Sequence, residues 1–285
     1  MSVAIVKNGV NCYAVSKYNG VSKQNVEHLT GSVENSPSPT LYYTFENGSG
    51  TTITDRSVGT TAHNGTFASG AQAPEWDDHG PKKGSYSFFS EAASGDDEHA
   101  TISDHADLDF DHNTAWSFSA WVKADGAGYL SILSKRDTAG NDYTGWYIGT
   151  HAGKLDVYLV SDWDTNDQKI WMKGSTSSPY NTLAGGSWVH VVVTYSGNGA
   201  ASGFKSYVNN SLDTGFAAHD SNHDAVSGSC TNNLDAHLGN DSATGGLAFG
   251  DVDELALWKG TVLTSTQVAK LYNSGGTPPS IVRGL

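Results

Sequence analysis

A chain of 285 residues with 33 glycines, 7 prolines and only 16% charged residues has room for one large all-β domain or two modest ones, and its short runs punctuated by Gly, Asn and Asp speak for strands and turns. The formal net charge of −14 comes from 16 basic against 30 acidic residues, which excludes a phosphate-binding surface of clustered Lys and Arg and with it a nucleic-acid partner. No apolar run approaches membrane length, so no membrane insertion is expected.

The acidity suits a soluble surface or one that holds cations such as Ca²⁺. The opening stretch MSVAIVKNGVNCYAV lacks the apolar core of a cleaved signal peptide, so work outside a cell would need another route of release. Cys12 and Cys230 are the only cysteines. Two cysteines make no disulfide framework, and the sequence leaves open whether they pair.

Residues 1–33 repeat with a period of 11: AIVKNGV, VSKYNGV and VEHLTGS place Gly9, Gly20 and Gly31 in register. Asn-Gly between apolar residues is a tight-turn signal, so each unit predicts a short strand and a turn. Such an arm is too small to bury its own apolar face and needs something to lie against. Residues 34–40, ENSPSPT, predict an extended linker.

From Leu41 the pattern becomes that of a sandwich. Strands are predicted at 41–46, 86–90, 116–122, 129–135, 145–149, 154–160, 169–173, 187–195, 204–209 and 249–258. Ten or more short strands point to two packed antiparallel sheets. One helix is predicted over 264–275, with Thr264 and Gln267 at capping-box spacing, Val268, Leu271 and Tyr272 as its apolar stripe and Gly275 as its stop. Residues 276–285 form a C-terminal tail.

The order LYYTFENGSGTTITDRSVGTTAHNGTF, FSAWVK, ILSKRD, GWYIGTHAGKLDVYLV, SWVHVVVTY, VDELALWKGTVLTSTQVAKLYNSG resembles the laminin-G-like branch of the concanavalin A-like lectin/glucanase superfamily, over about residues 41–275. The resemblance implies a concanavalin A-like jelly-roll sandwich of two antiparallel sheets with one short C-terminal helix. The repeat arm resembles N-terminal segments of tailed-phage virion proteins.

The superfamily's hydrolases resemble one another in an E-x-D-x-x-E strand, and FGDVDELALW (249–258) is the place to seek it. Strand alternation groups Asp251, Asp253, Leu255 and Leu257 on one face and Val252, Glu254, Ala256 and Trp258 on the other, which breaks the acid pattern. Asp253 then needs a partner. Either backbone amides satisfy it, or, as the laminin-G-like resemblance implies, it looks toward a structural Ca²⁺ shared with Asp55 and Asn64. His219 and His223, four apart in HDSNHD, sit in loop-forming surroundings that make a poor metal site.

Six of the eight Trp residues lie in predicted strands and are assigned to the core. Trp163 in SDWDTNDQ and Trp76 in PEWDDHGPKKG read as loop-tip indoles. Trp163 with Asp162, Asp164 and Asn166, and Trp76, are the candidate glycan contacts.

The expected function is that of a non-catalytic structural virion protein of a tailed phage. Its arm would bind other virion subunits, with homo-oligomerisation, and its sandwich would face outward on the virion surface toward a glycan. The alternatives are a bacterial surface or secreted carbohydrate-binding adhesion module and a glycoside hydrolase.

Overall fold

The computed structural model describes residues 4–7, 10–13, 37–59, 61–90, 98–126, 128–138, 142–175, 183, 185–239 and 249–278. The chain forms two compact units, Met1–Asn35 and Ser36–Leu285. In the first, β1 (Ala4–Lys7) and β2 (Val10–Tyr13) pair antiparallel with Lys7 opposite Val10, a hairpin register around the first Asn-Gly pair. The second and third repeats lie outside the described residues.

The second unit begins with β3 (Leu41–Tyr43), β4 (Thr52–Ile53), β5 (Gly65–Phe67), β6 (Glu75–Asp77), β7 (Ser87–Ser90) and β8 (His99–Ile102). The long strands follow: β9 (Trp116–Asp125), β10 (Leu130–Arg136), β11 (Gly145–His151), β12 (Lys154–Asp162), β13 (Gln168–Lys173) and β14 (Val189–Tyr195). Then come β15 (Phe204–Val208), β16 (Ser211–Leu212), β17 (Ala217–Ala218), β18 (Asp224–Ala225), β19 (Ala236–Gly239), β20 (Phe249–Lys259) and the helix α1 (Ser265–Asn273).

A ten-stranded sheet runs β17-β13-β12-β11-β10-β19-β8-β5-β4, with β18 also on β13; an eight-stranded sheet runs β16-β15-β14-β9-β20-β7-β6, with β3 also on β20. All pairings are antiparallel. Alternation along the strands sends Leu133, Ile148, Val157 and Met172 from one sheet and Phe118, Val191 and Leu257 from the other into a shared core. Each such buried side chain contributes about 1.5–3 kcal/mol against exposure. The two-sheet jelly roll with one helix is the architecture expected.

The helix starts as its sequence dictates. Thr264 Oγ1 accepts the Gln267 amide at 3.3 Å, Gln267 Oε1 accepts the Thr264 amide at 2.8 Å, and Gly275 leaves at φ +72°. Its Val268 and Leu271 pack with Tyr42, Val192, Ala256 and Trp258 in a second cluster outside the eight-stranded sheet. Among the described residues no helix is long and apolar enough to cross a membrane.

Residues 37–40, the end of the expected extended linker, bond to β20. The Thr40 amide bonds Leu257 O at 2.7 Å, Trp258 Nε1 bonds Pro37 O at 2.9 Å, and Thr40 Oγ1 accepts the Lys259 amide at 2.9 Å. These residues are already part of the sandwich.

Candidate functional site

The sequence singled out the acidic run of β20, and the structure corrects how that run is oriented. Pairing with β9 shifts register between Asp253 and Ala256, and Glu254 takes φ +50°. A β-bulge inserts one residue and inverts the alternation beyond it. Val252, Leu255 and Leu257 therefore all face the core, while Ala256 and Trp258 join the outer cluster. Asp251 and Asp253 pair with Lys123 and Trp121 on β9 and share the outer face. Asp253 does not sit beside Leu255 and Leu257, as simple alternation required.

Both carboxylates are consumed by the fold. Asp253 is 0% exposed; its Oδ2 accepts the Lys83 amide at 2.8 Å and its Oδ1 the Glu254 amide at 2.7 Å. Burial drives its carboxyl up to about 8 in spite of those amides. Asp251 accepts Lys123 Nζ at 2.9 Å and Ser87 Oγ at 3.1 Å and hydrogen-bonds the Asp77 carboxyl. Burial raises Asp251; for Asp77 burial is outweighed by the His79 amide and ring, which hold it below the usual carboxylate range.

A cover lies over this face. Glu254 Oε2 accepts the hydroxyls of Tyr42 and, at 2.9 Å, Thr277. Trp121 stacks on Tyr272 of α1 at 5.6 Å with Lys82 Nζ 3.7 Å from its ring centre. His190 packs against Trp121 at 5.1 Å and shares a 2.9 Å bond with Ser119 Oγ; burial pushes it down to about 3. Gly276, at φ +102°, crosses so closely that a Cβ there would lie 2.5 Å from Glu254 Cβ.

The expected cation trio does not converge. Asp55 spends its carboxylate on the amides of Tyr42 (3.0 Å), Ser57 (2.8 Å) and His63 (2.9 Å), and Asn64 Oδ1 accepts the Asp55 amide at 2.9 Å. Asp253 is bound instead to Lys83 and Glu254. Among the described residues the groups whose ligand atoms do cluster are His63, His105 and Asp107, and Asp77, Asp78 and His79. Cys230 is a buried free thiol, pushed up to about 12 by burial; the side chain of Cys12 lies outside the described residues.

The outer face of the ten-stranded sheet has a different character. Thr101, His237, Ser134, Tyr147, Tyr158 and Trp171 stand directly opposite one another on β8, β19, β10, β11, β12 and β13. Their chain neighbours Ala100, Leu238, Leu133, Ile148, Leu159 and Ile170 all enter the core, so the six form one row across six strands, pointing outward. At adjacent-strand spacing the row is about 24 Å long.

One end of the row opens into a cleft of about 270 Å³ lined by Ser134, Arg136, Thr138, Leu234, Asp235 and His237. Arg136 leaves the cleft to lie 4.5 Å over the Tyr147 ring and within 5.8 Å of Tyr158. The two tyrosines are only 0% and 6% exposed. At the other end Trp171 is half-buried, donating to Asp156 Oδ1 at 2.7 Å while Asp156 Oδ2 takes the Tyr158 hydroxyl at 2.7 Å. His219 rests 3.9 Å from Trp171 and Lys173 Nζ 4.6 Å over it.

Trp163 belongs to this cluster and is not a free loop tip. Its ring meets Tyr158 edge-on at 5.4 Å, Tyr143 at 5.6 Å and Trp171 at 5.8 Å, and Lys169 Nζ lies 4.4 Å over it. Asp162 accepts the Thr165 amide at 2.8 Å and Asn166 Nδ2 at 2.7 Å, so both residues shape the turn, and the Thr165 amide above all lowers the Asp162 carboxyl. Asp164 stays exposed. Trp76 lies in β6, stacked on Phe67 at 4.6 Å with its N–H on Gly50 O at 2.8 Å; it seals a core edge.

The row is hidden in the sequence, where Trp171 shares the strand setting of the core tryptophans. The available signal was phase. In KIWMK, Trp171 alternates with Ile170 and Met172; in KLDVYLV, Tyr158 shares its phase with Asp156.

Solved structures share this fold. The binding domain of Paraclostridial Mosquitocidal Protein 1 matches at 13% identity and a TM-score of 0.60, over 83% of this chain and 52% of that one. The botulinum neurotoxin serotype G binding domain matches at 15% and 0.56, over 83% and 51%. A structure of botulinum neurotoxin type C, which depends on interaction with two ganglioside molecules to get into cells, matches at 15% and 0.55, over 84% and 51%. The chain thus spans about half the length of these structures. No curated protein matches it in sequence. The family model for the concanavalin A-like lectin/glucanases superfamily matches residues 94–269, more than half of the chain, and the chain belongs to that superfamily.

Proposed function

We propose that residues 36–278 form a non-catalytic glycan-recognition module that binds through the outer face of the ten-stranded sheet. The observation that carries this reading is the cross-strand row joining the Arg136–His237 cleft to Trp171. Sugars are held by aromatic faces against their apolar C–H surfaces and by a few polar groups on their hydroxyls. Arg136, Asp235, His237, Ser134 and Thr138 offer that polar set around Leu234. The superfamily fold and the toxin binding domains that share it support the reading, as does the burial of Asp251 and Asp253, which keeps both from a substrate.

The test is a screen of oligosaccharides against the full chain, followed by titration of the best ligand. Arg136→Ala and Trp171→Ala should each weaken binding at least about tenfold, some 1.4 kcal/mol. Glycan turnover abolished by Asp251→Asn would overturn the non-catalytic reading.

The repeat arm is the part of the chain suited to attachment, since a two-stranded hairpin such as the one its described residues form is marginal by itself. We therefore propose that it fixes the module to a larger assembly, the tailed-phage particle being the reading its repeats favour, with the sandwich outward on the virion surface. Light scattering on the full chain and on one beginning at Ser36 tests this. Assembly by the full chain alone supports attachment, and monomers in both cases count against it. The cut belongs at Ser36 because residues 37–40 hold β20.

A further inference from the structure

We infer that His63, His105 and Asp107 form a binding site for a transition-series divalent cation of the Zn²⁺ class. The topology assembles it. β5 and β8 pair with Gly65 opposite Ile102, so the residues just before β5 and just after β8 meet at one end of the ten-stranded sheet. His63 precedes the pair by two residues; after it, His105 caps a single turn of 3₁₀ helix, Ala106–Leu108, that carries Asp107.

The distances fit a metal. His63 Nε2 and His105 Nδ1 each lie 3.3 Å from Asp107 Oδ2, and the three ligand atoms all fall within 4.8 Å of one another. Ligands at about 2.0–2.1 Å in tetrahedral geometry are separated by about 3.3–3.4 Å. Two imidazoles and one carboxylate suit Zn²⁺ and its neighbours, whereas Ca²⁺ takes six to eight oxygens.

The site is also braced. His63 is the interior ligand, its side chain 3% exposed, against 41% for His105 and 46% for Asp107. Its amide donates to Asp55 Oδ2 and its carbonyl accepts the Tyr43 hydroxyl, so the backbone is clamped on both sides. Asp55 thereby serves as an outer support, not as a ligand. Lys259 pins the second segment by donating to Ala106 O. His105 Nδ1 accepts the Asp107 amide at 3.1 Å; the cation would replace the amide as its partner. With two ligands at the rim, the fourth position faces solvent, and the ion would tie residues 54–64 to residues 103–108.

Titration calorimetry and thermal melting of the full chain with ZnCl₂, and with CaCl₂ in parallel, test the site at about pH 7.5, where histidine is neutral. One equivalent of Zn²⁺ should bind and raise the melting temperature reversibly to chelator, with Ca²⁺ producing no such rise. His105→Gln and Asp107→Asn, both at the rim, should fold as the parent does. Each should weaken Zn²⁺ by more than the roughly 10–100-fold that loss of an outer support costs. His79→Ala, at the separate Asp77–Asp78–His79 cluster, should leave that binding intact. Absence of saturable Zn²⁺ binding, or undiminished affinity in either rim variant, would overturn the inference.

Discussion

The outer faces of the two sheets are built from similar residues and put to different ends. On the eight-stranded sheet Asp251, Asp253, Trp121 and His190 are roofed by residues 77–83, α1 and Gly276. On the ten-stranded sheet Asp156 and Tyr158 are buried beneath side chains such as Arg136 and Trp171, no helix among the described residues crosses them, and the half-buried Trp171 and the cleft stay open. Carboxylate, aromatic ring and histidine occur on both. What separates a stabilising network from a candidate binding surface is the cover, supplied on the eight-stranded sheet by residues 77–83 and by the helix that follows β20.

The largest effect is expected where the roof is tightest. Asp253→Ala strands the Lys83 and Glu254 amides in a buried site and should cost about 2–6 kcal/mol, the sum for two buried donors without acceptors. Denaturant melts should show this while glycan affinity of the folded protein stays at the parental value. Loss of affinity would break the division of labour between the faces.

The same face sets the pH response. Asp253, at about 8, lies above its unfolded value near 4, so the native state binds the extra proton and stability falls as pH rises from about 4 to 8. His190, at about 3, lies below its unfolded value near 6.5, so stability falls as pH drops from about 6.5 to 3. The two slopes oppose between about 4 and 6.5, which places the maximum melting temperature there and a decline toward pH 8. Asp253→Asn should abolish that decline, and a decline that persists would assign it elsewhere.

On the open face Trp171→Phe keeps a ring but removes the N–H on Asp156. A hydrogen bond to a charged group contributes about 1.5–3 kcal/mol, less here because Trp171 is half-buried. Stability and glycan binding should fall together in this variant, unlike Asp253→Ala. The smallest effect is expected from Thr264→Ala, which loses one half of the capping box and about 1 kcal/mol. It loosens the roof alone, so glycan titrations should not register it.

Much of the fold was written in local signals. The helix followed from Thr264, Gln267 and Gly275, and the long strands from apolar alternation. The short strands β5, β6 and β19 carry too few residues for period to show, and they exist because neighbours pair with them. The face of Asp253 was illegible for another reason. Alternation presumes one residue per step, and the bulge at Glu254, a non-glycine residue at positive φ, is held by tertiary bonds to Tyr42 and Thr277. Trp163 and Trp76 look exposed because their sequence neighbours are polar, yet their rings meet Tyr158, five residues back on β12, and Phe67 on β5. The His63 cluster combines residues more than 40 positions apart, related only through the β5–β8 pairing.

The clasp of residues 37–40 and Thr277 on β20 has a topological consequence. The chain arrives at the sandwich by bonding Leu257 and Lys259 and departs by bonding Glu254, positions within about 17 Å along one strand. Its two ends are therefore neighbours, and such a unit can be spliced into a surface loop of an unrelated host, or have its own ends joined and reopened elsewhere, with little distortion of either partner.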